Sequence, residues 1–517
     1  MSYRSWVVGC GLWAAALGQT GADRIRVDRL RADIAFFASA PLEGRRSLER
    51  GSEVAIQFVA AEFAKAGLKP AAGQSYLQEF PVVEYRLKPD GRRLKMTVGG
   101  RERELEHGRD FTGAFPSDVK VSAPVVFAGY GITAPEFGYD DYAGLDARGK
   151  VVLIFEHEPQ ETDPKSVFLG LGNTVHASPQ AKLLNAQQHG VVGVLMAGEP
   201  NRKHPSNVDR LARIPGGRER ATGPSSQALA ESDRRIPAIT VSDAVAAELL
   251  APTGKKPGEL QARIDASLRP ASEALAGASV EMAIEVAESR RATSANVVGV
   301  LERSDPKLRG QAVLFTAHYD HLGIRDGKVL PGADDDASGT AAVIELARVF
   351  AQDPERTKRT LVFIAFGGEE VGLLGSYYYA AHPLAATRAV INLDMIGRDE
   401  KPSTQTNGLI EIAADTSNEL NFIGLKSSPG LRAVLERANR GVGLRLSYKW
   451  DDDAALNVLW RGDQFPFLLK GVPAVWLFNG FQPDYHTPSD TIDKLNFTKM
   501  VKIVRLAYLA GRALANQ

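Results

Sequence analysis

From Ala295 to the C-terminus the chain alternates near-continuous apolar runs with stretches of helical period. Gln311 to Ala317, Thr360 to Phe366, Ala389 to Leu393 and Val472 to Phe478 read as strands, and Ala337 to Phe350 as a helix whose apolar positions include Ala341, Ile344, Ala347 and Phe350. Strands apolar on both faces and separated by helices predict a largely buried α/β sheet. Nearer the N-terminus, Val27 to Ala66 has a helical pattern and Tyr76 to Tyr85 a strand-like one. The texture changes between Ser122 and about Ser272. There the short runs Pro124 to Ala128, Lys150 to Phe155, Gly190 to Met196 and Ile236 to Val241 stand among polar, Pro- and Gly-rich sequence, with helical stretches at Ala181 to Gln188 and from Asp243. This predicts a small β-rich domain inserted into the larger one. Asp399 to Asp453 is polar and mixed, and is read as decoration of the site.

A chain of 517 residues is too long for one core, since cores stop growing at roughly 250–300 residues. The expected division is residues 1–22 as a leader, 23–121 as the first part of the large domain, 122–272 as the insert and 273–517 as the catalytic domain. Lys plus Arg and Asp plus Glu each number 62, so the net charge is zero and neither nucleic acid nor an anionic membrane is indicated as main partner. Arg4 followed by the apolar stretch Trp6 to Leu17, with small residues at Ala16-Leu17-Gly18 or Thr20-Gly21-Ala22, reads as an export signal. Export to the periplasm or the extracellular space is therefore expected, with no membrane span in the mature chain. Val7-Val8-Gly9-Cys10 also resembles a lipoprotein box, a lower-ranked alternative because the apolar run before Cys10 is short. Cys10 is the only cysteine, so the mature chain has neither disulfides nor a cysteine nucleophile, and any metal must be held by His, Asp and Glu.

Five clusters carry candidate chemistry. His318-Tyr319-Asp320-His321 follows the first of these strands. Asp334-Asp335-Asp336 precedes the helix. Glu369-Glu370 follows the strand ending at Phe366, Asp394 closes the next, and Asp484-Tyr485-His486 lies after the last. Open α/β sheets gather ligands at the carboxyl ends of their strands, so these clusters are expected to converge. Three successive carboxylates repel one another unless a cation lies among them, and mixed imidazole and carboxylate donors suit zinc, with cobalt or manganese as substitutes. A histidine after a strand is by itself more often a hydrogen-bonded or surface residue. His321 is read that way, as are His107, His157, His176, His189, His204 and His382.

In combination these segments resemble the di-zinc peptidase family that contains bacterial leucyl aminopeptidases and glutamate carboxypeptidase. The resemblance rests on His318-x-Asp320, Gly332 to Gly339, Glu369 to Ser376, Asn392 to Gly397 and Tyr485 to Asp490. Gly44-Arg45 and Tyr76-x-Gln78 fit the family's N-terminal segment, and the insert is similar to its protease-associated domain. The resemblance implies a three-layer fold with a central mixed, mostly parallel sheet and two zinc ions. His318 and Asp394 would bind the first ion, Glu370 and His486 the second, and Asp335 both. It further implies a cis peptide between Asp335 and Asp336, Asp320 orienting His318 through its free ring nitrogen, Glu369 as general base to a water shared by the metals, and Tyr485 as oxyanion donor. The implied activity is release of N-terminal residues from peptides. The alternatives are a carboxypeptidase or dipeptidase, which Arg398 and Arg461 would favour, then a glutaminyl cyclase, then a non-catalytic receptor-like relative. Where many relatives have Ser-Asp-His, this chain reads Arg461-Gly462-Asp463-Gln464-Phe465, so its specificity pocket is expected to differ.

Overall fold

The computed structural model describes residues 21–206, 225–303 and 305–517. Arg4, the Trp6 to Leu17 stretch, Cys10 and the Ala16-Leu17-Gly18 cleavage site lie outside the described residues.

The protein is α/β, and its largest core is built on a mixed, mostly parallel sheet. Gln311–His318 lies between Thr360–Phe366 and Ala386–Leu393, parallel to both, and Ala386–Leu393 is parallel to Ala474–Phe478. Glu419–Ile423 pairs antiparallel beyond Ala474–Phe478, with Arg445–Ser447 as the edge beside it, and Val297 to Leu301 pairs antiparallel with Thr360–Phe366. Thr360–Phe366 and Ala474–Phe478 are buried at every position, which explains why their sequences do not alternate.

Helix Gly339–Ala351 packs on one face of this sheet, against Val27–Phe37, Arg50–Lys65 and Phe497–Asn516. Its Glu345 is fully buried. The carboxylate accepts from the Arg26 amide at 2.8 Å and from the Arg29 guanidinium at 2.6 Å, so an otherwise costly buried charge ties the start of the N-terminal helix to the core. The continuous helical pattern expected over Val27 to Ala66 is two helices, Val27–Phe37 and Arg50–Lys65. Between them Glu43, Gly44, Arg45 and Leu48 take positive φ, a turn that no helix can contain.

The strand expected to end near Tyr85 continues to Val98 and pairs along its length with Glu273–Leu301. These two long antiparallel strands run from the large sheet into the insert. A second core gathers residues from Leu94 to Met282, so packing reaches beyond 122–272 on both sides. Besides the two helices expected in the insert, a third, Pro257–Ser267, is present. Val119–Phe127, Val151–Phe155, Gly193–Ala197 and Ala238–Val241 run parallel in that order. Helices Pro179–Gln188, Asp243–Leu250 and Pro257–Ser267 accompany them.

No helix among the described residues is long and apolar enough to cross a membrane.

Candidate metal centre

Strand order brings the five sequence clusters to one edge of the large sheet. His318 ends its strand in register with Phe366, after which Gly367-Gly368 delivers Glu369 and Glu370. Asp394 follows the neighbouring strand directly, and His486 lies in the loop beyond Phe478. Asp335 sits in the segment Ala333–Ser338 that enters helix Gly339–Ala351, with a cis peptide to Asp336. Gly339 is required at that entry, because a Cβ there would collide with the Leu393 carbonyl.

The donors converge. His318 Nε2 lies 3.3 Å from Asp335 Oδ1 and 3.7 Å from Asp394 Oδ1. His486 Nε2 lies 3.0 Å from Asp335 Oδ2 and 3.3 Å from Glu370 Oε1. The two oxygens of Asp335 thus face different imidazoles. His318, Asp335 and Asp394 form one group with metal-ligand spacing, and His321, Asp335 and Glu370 a second. His318, His321, Asp335 and Asp394 are nearly inaccessible to solvent, and Glu370 is partly buried. Glu369 Oε2 stands 3.8 Å from His318 Nε2.

The three consecutive aspartates divide their tasks. Asp334 Oδ1 accepts from the amides of Gly397 and Arg398 at 2.8 and 3.1 Å. Asp336 accepts from the amides of His318, Gly339 and Met395 at 3.2, 2.8 and 3.3 Å. Backbone amides therefore hold the outer two carboxylates, and only the middle one is left facing the histidines.

Electrostatics sort the acids further. Burial opposes ionisation of Asp335, but its hydrogen bonds with His318 and His486 outweigh that and hold its carboxyl below the usual range. Burial also works against Glu370, and His486 and His321 overcome it. For Glu369 burial prevails over the attraction of His318, and the carboxyl is pushed well above its ordinary value.

Asp320 departs from expectation. His318 Nδ1 contacts the backbone carbonyl of Asp320 at 3.1 Å, while the Asp320 carboxylate accepts from the Glu369 amide at 3.1 Å. The carboxylate steadies the Glu369 loop, and the main chain orients the imidazole. Tyr485 stacks on His486 with centroids 3.6 Å apart, and its hydroxyl accepts from Arg461 at 3.3 Å. Arg398 donates to Asp484 at 2.9 Å and lies 4.0 Å from Asp490, so its charge is already matched.

Three further residues build the site. His321, read from sequence as an ordinary histidine, is buried with Nδ1 2.8 Å from Glu370 Oε1. Its place directly after His318-x-Asp320 was the available signal. Arg45 is fully buried and donates to the carbonyls of Phe37, Tyr319, Pro331 and Gly332 at 2.5 to 3.0 Å, joining the His318 loop to the aspartate loop. Asp490 accepts the amides of Asp334 and Asp335.

Residues 296–510, the part of the chain that carries all these donors, match the model of Peptidase family M28. This domain belongs to family M28. Aminopeptidase YwaD of Bacillus subtilis is 31% identical to the chain over 216 residues, which are 40% of this chain and 41% of that protein. The chain thus spans about two fifths of the length of that relative. The probable lipoprotein aminopeptidase LpqL of Mycobacterium tuberculosis is 25% identical over 377 residues, 67% of this chain and 72% of that one. Among solved structures, an aminopeptidase from Aneurinibacillus sp. strain AM-1 aligns over 96% of this chain and 95% of its own, with 22% identity and a TM-score of 0.49.

The donor set fits zinc. Imidazole nitrogens and carboxylates are its ligands in cysteine-free sites. Within the M28 domain the donors form two groups that share Asp335.

Proposed function

We propose that the protein is a zinc-dependent exopeptidase that removes N-terminal residues from peptides, with His318, Asp335, Glu370, Asp394 and His486 holding two zinc ions. The observation that carries this reading is Asp335, whose Oδ1 faces His318 while Oδ2 faces His486. A carboxylate set between two imidazoles, each with its own second carboxylate, is arranged to bridge. Cobalt or manganese would serve as substitutes. Zinc bound there would polarise a substrate carbonyl and lower the pKa of a shared water.

The chain's own residues do the rest. Glu369, raised by burial, is placed to accept a proton and return it to the leaving amine, and a divalent cation nearby would favour its ionised, proton-accepting form. The Asp320 carboxylate fixes the amide from which Glu369 extends. Tyr485, held by Arg461 and by its stacking on His486, is placed to donate toward a developing oxyanion. His321 supports Glu370 beside the second ion.

Amine recognition is favoured over carboxylate recognition because Arg398 is neutralised by Asp484 and Asp490. The relatives YwaD, an aminopeptidase, and LpqL, a probable lipoprotein aminopeptidase, point the same way. Arg461, beside Tyr485, is the observation that favours the carboxypeptidase reading. Turnover of aminoacyl-nitroanilides against their N-acetylated forms separates the two. Aminopeptidase action requires the free amine, and equal cleavage of both forms would overturn it.

We also read the insert as a protease-associated domain and the protein as exported. The apolar Trp6 to Leu17 stretch supports export. Gly21 and Ala22 are buried, Gly21 against Tyr508, which favours cleavage after Gly18 over cleavage after Ala22.

A further inference from the structure

The insert repeats, on its own run of parallel strands, the arrangement that makes the catalytic centre. Val151–Phe155 and Gly193–Ala197 are adjacent parallel strands in register at Phe155 and Ala197. Just past their carboxyl ends stand His157 and Glu199, joined by Glu161 and His204 from the loops that follow. One ligand atom from each of the four lies within 4.8 Å of the others. His157 Nδ1 is 2.9 Å from Glu161 Oε2 and 2.9 Å from Glu199 Oε1, and His204 Nε2 is 2.5 Å from Glu161 Oε1.

Three features set this group apart from a surface ion-pair cluster. Glu199 is 1% exposed; its Oε1 meets only His157 Nδ1, at 2.9 Å, and its Oε2 has no hydrogen-bond partner among the described residues. A carboxylate so buried is costly unless a cation or several donors meet it. Next, His204 Nδ1 lies 2.9 Å from the Pro205 carbonyl, a contact that orients the imidazole and turns Nε2 into the cluster, 2.5 Å from Glu161 Oε1. Finally, His157 holds φ at +52°, a conformation that non-glycine residues rarely adopt, and one that sets its ring into the cluster.

From these observations we infer that His157, Glu161, Glu199 and His204 form a second metal site, separate from the catalytic centre, that takes zinc or a similar divalent transition ion. Two imidazoles and two carboxylates make a closed tetrahedral donor set of the structural kind. Donors on one zinc stand roughly 3.3 Å apart for bonds of about 2.0 Å, so the side chains need to open by less than about 1 Å to admit it. The site lies where the insert meets the M28 domain. The His157 ring is 6.1 Å from that of Trp460, the Glu161 carbonyl accepts from the Gly172 amide, and Gly172 abuts the backbone of Asp451 and Asp452. Asn173 donates to Asn457 at 3.4 Å. An ion here fastens two loops of the insert against the Asp451 to Arg461 segment, whose last residue reaches the Tyr485 hydroxyl. Its role is to set the wall of the substrate cleft.

Crystals of the wild-type protein grown with zinc chloride, measured on both sides of the zinc absorption edge, test this directly. An anomalous peak enclosed by His157 Nδ1, Glu161, Glu199 and His204 Nε2 is expected. In parallel, the purified Glu161→Gln/Glu199→Gln double variant, which keeps side-chain shape, should contain one zinc per chain fewer than wild type. That difference is read whatever the catalytic centre holds, so it stands or falls apart from the function proposed above. No peak at the cluster overturns the inference and leaves a buried ion-pair network, and equal zinc content in the two proteins does the same. If the double variant does not fold, the diffraction experiment decides alone.

Discussion

The amide of Asp335 donates to Oδ2 of Asp490 at 3.2 Å, across 155 positions of sequence. The amide of Asp334 donates to the same carboxylate at 3.1 Å. One buried side chain therefore ties the loop that carries the central aspartate to the segment that carries His486. Removing it leaves two buried amides without an acceptor. Asp490→Ala should cost about 2–4 kcal/mol in urea unfolding, on the ordinary cost of unsatisfied buried groups. It should also weaken zinc binding by about 10–100-fold, as the loss of a residue that positions metal ligands does. Unchanged zinc affinity in a competition titration would refute the coupling.

Glu369→Gln keeps the size and the amide contact to Asp320 while removing the proton acceptor. Turnover is expected to fall by about 10²–10⁴-fold, the range for loss of a general base, with zinc content unchanged by elemental analysis. Retained activity would remove Glu369 from the reaction.

Arg45 supplies donors to carbonyls of four residues, and a lysine cannot reproduce that fork. Arg45→Lys should lose about 3 kcal/mol or more, because it strands buried carbonyls in the loops on either side of the site. A thermal melt matching wild type would show that these contacts are dispensable.

Chelation should act on stability as well as on turnover. Ligands that bind only the folded state stabilise it by mass action, about 4 kcal/mol when free zinc exceeds its dissociation constant a thousandfold. Dialysis against 1,10-phenanthroline should therefore lower the melting temperature and abolish hydrolysis, and zinc should restore both. Full activity in the stripped protein would exclude a metal-dependent reaction.

Asp141, in the insert and away from the metal centre, provides a pH test. Burial is the largest influence on it and raises its pKa to about 7, although the amides of Tyr130 and Ile132 and the Tyr139 hydroxyl donate to it. Its folded value lies above its unfolded one, so the folded state binds the proton more tightly. The resulting stability is complete below about pH 4 and is lost as pH rises through 7. Asp141→Asn holds the group neutral throughout. Relative to wild type it should gain up to a few kcal/mol between pH 5 and pH 8. A constant difference in urea midpoint across that range would mean that Asp141 ionises normally in the fold.

Much of the site was readable because its residues sit at strand ends within short, dense motifs. His318, Asp335, Glu370, Asp394 and His486 announce themselves by type and position. Arg45 and Asp490 do not, because their partners are backbone atoms of residues distant in sequence. His321 looks like any histidine until Glu370 is placed against it. The same holds for His157, Glu161, Glu199 and His204, which no spacing rule connects and only the register of two adjacent strands brings together.

Sequence alone determined the apolar strands, the main helices and the chemical types at the ends of those strands, because burial period and donor chemistry are local properties. Tertiary structure alone decided that Asp335 faces the histidines while Asp334 and Asp336 take amides, and that the Asp320 main chain holds His318. It also decided that Leu77–Val98 runs on into the insert. Those outcomes depend on which distant backbone groups reach a side chain first, and no periodicity along the chain encodes that competition.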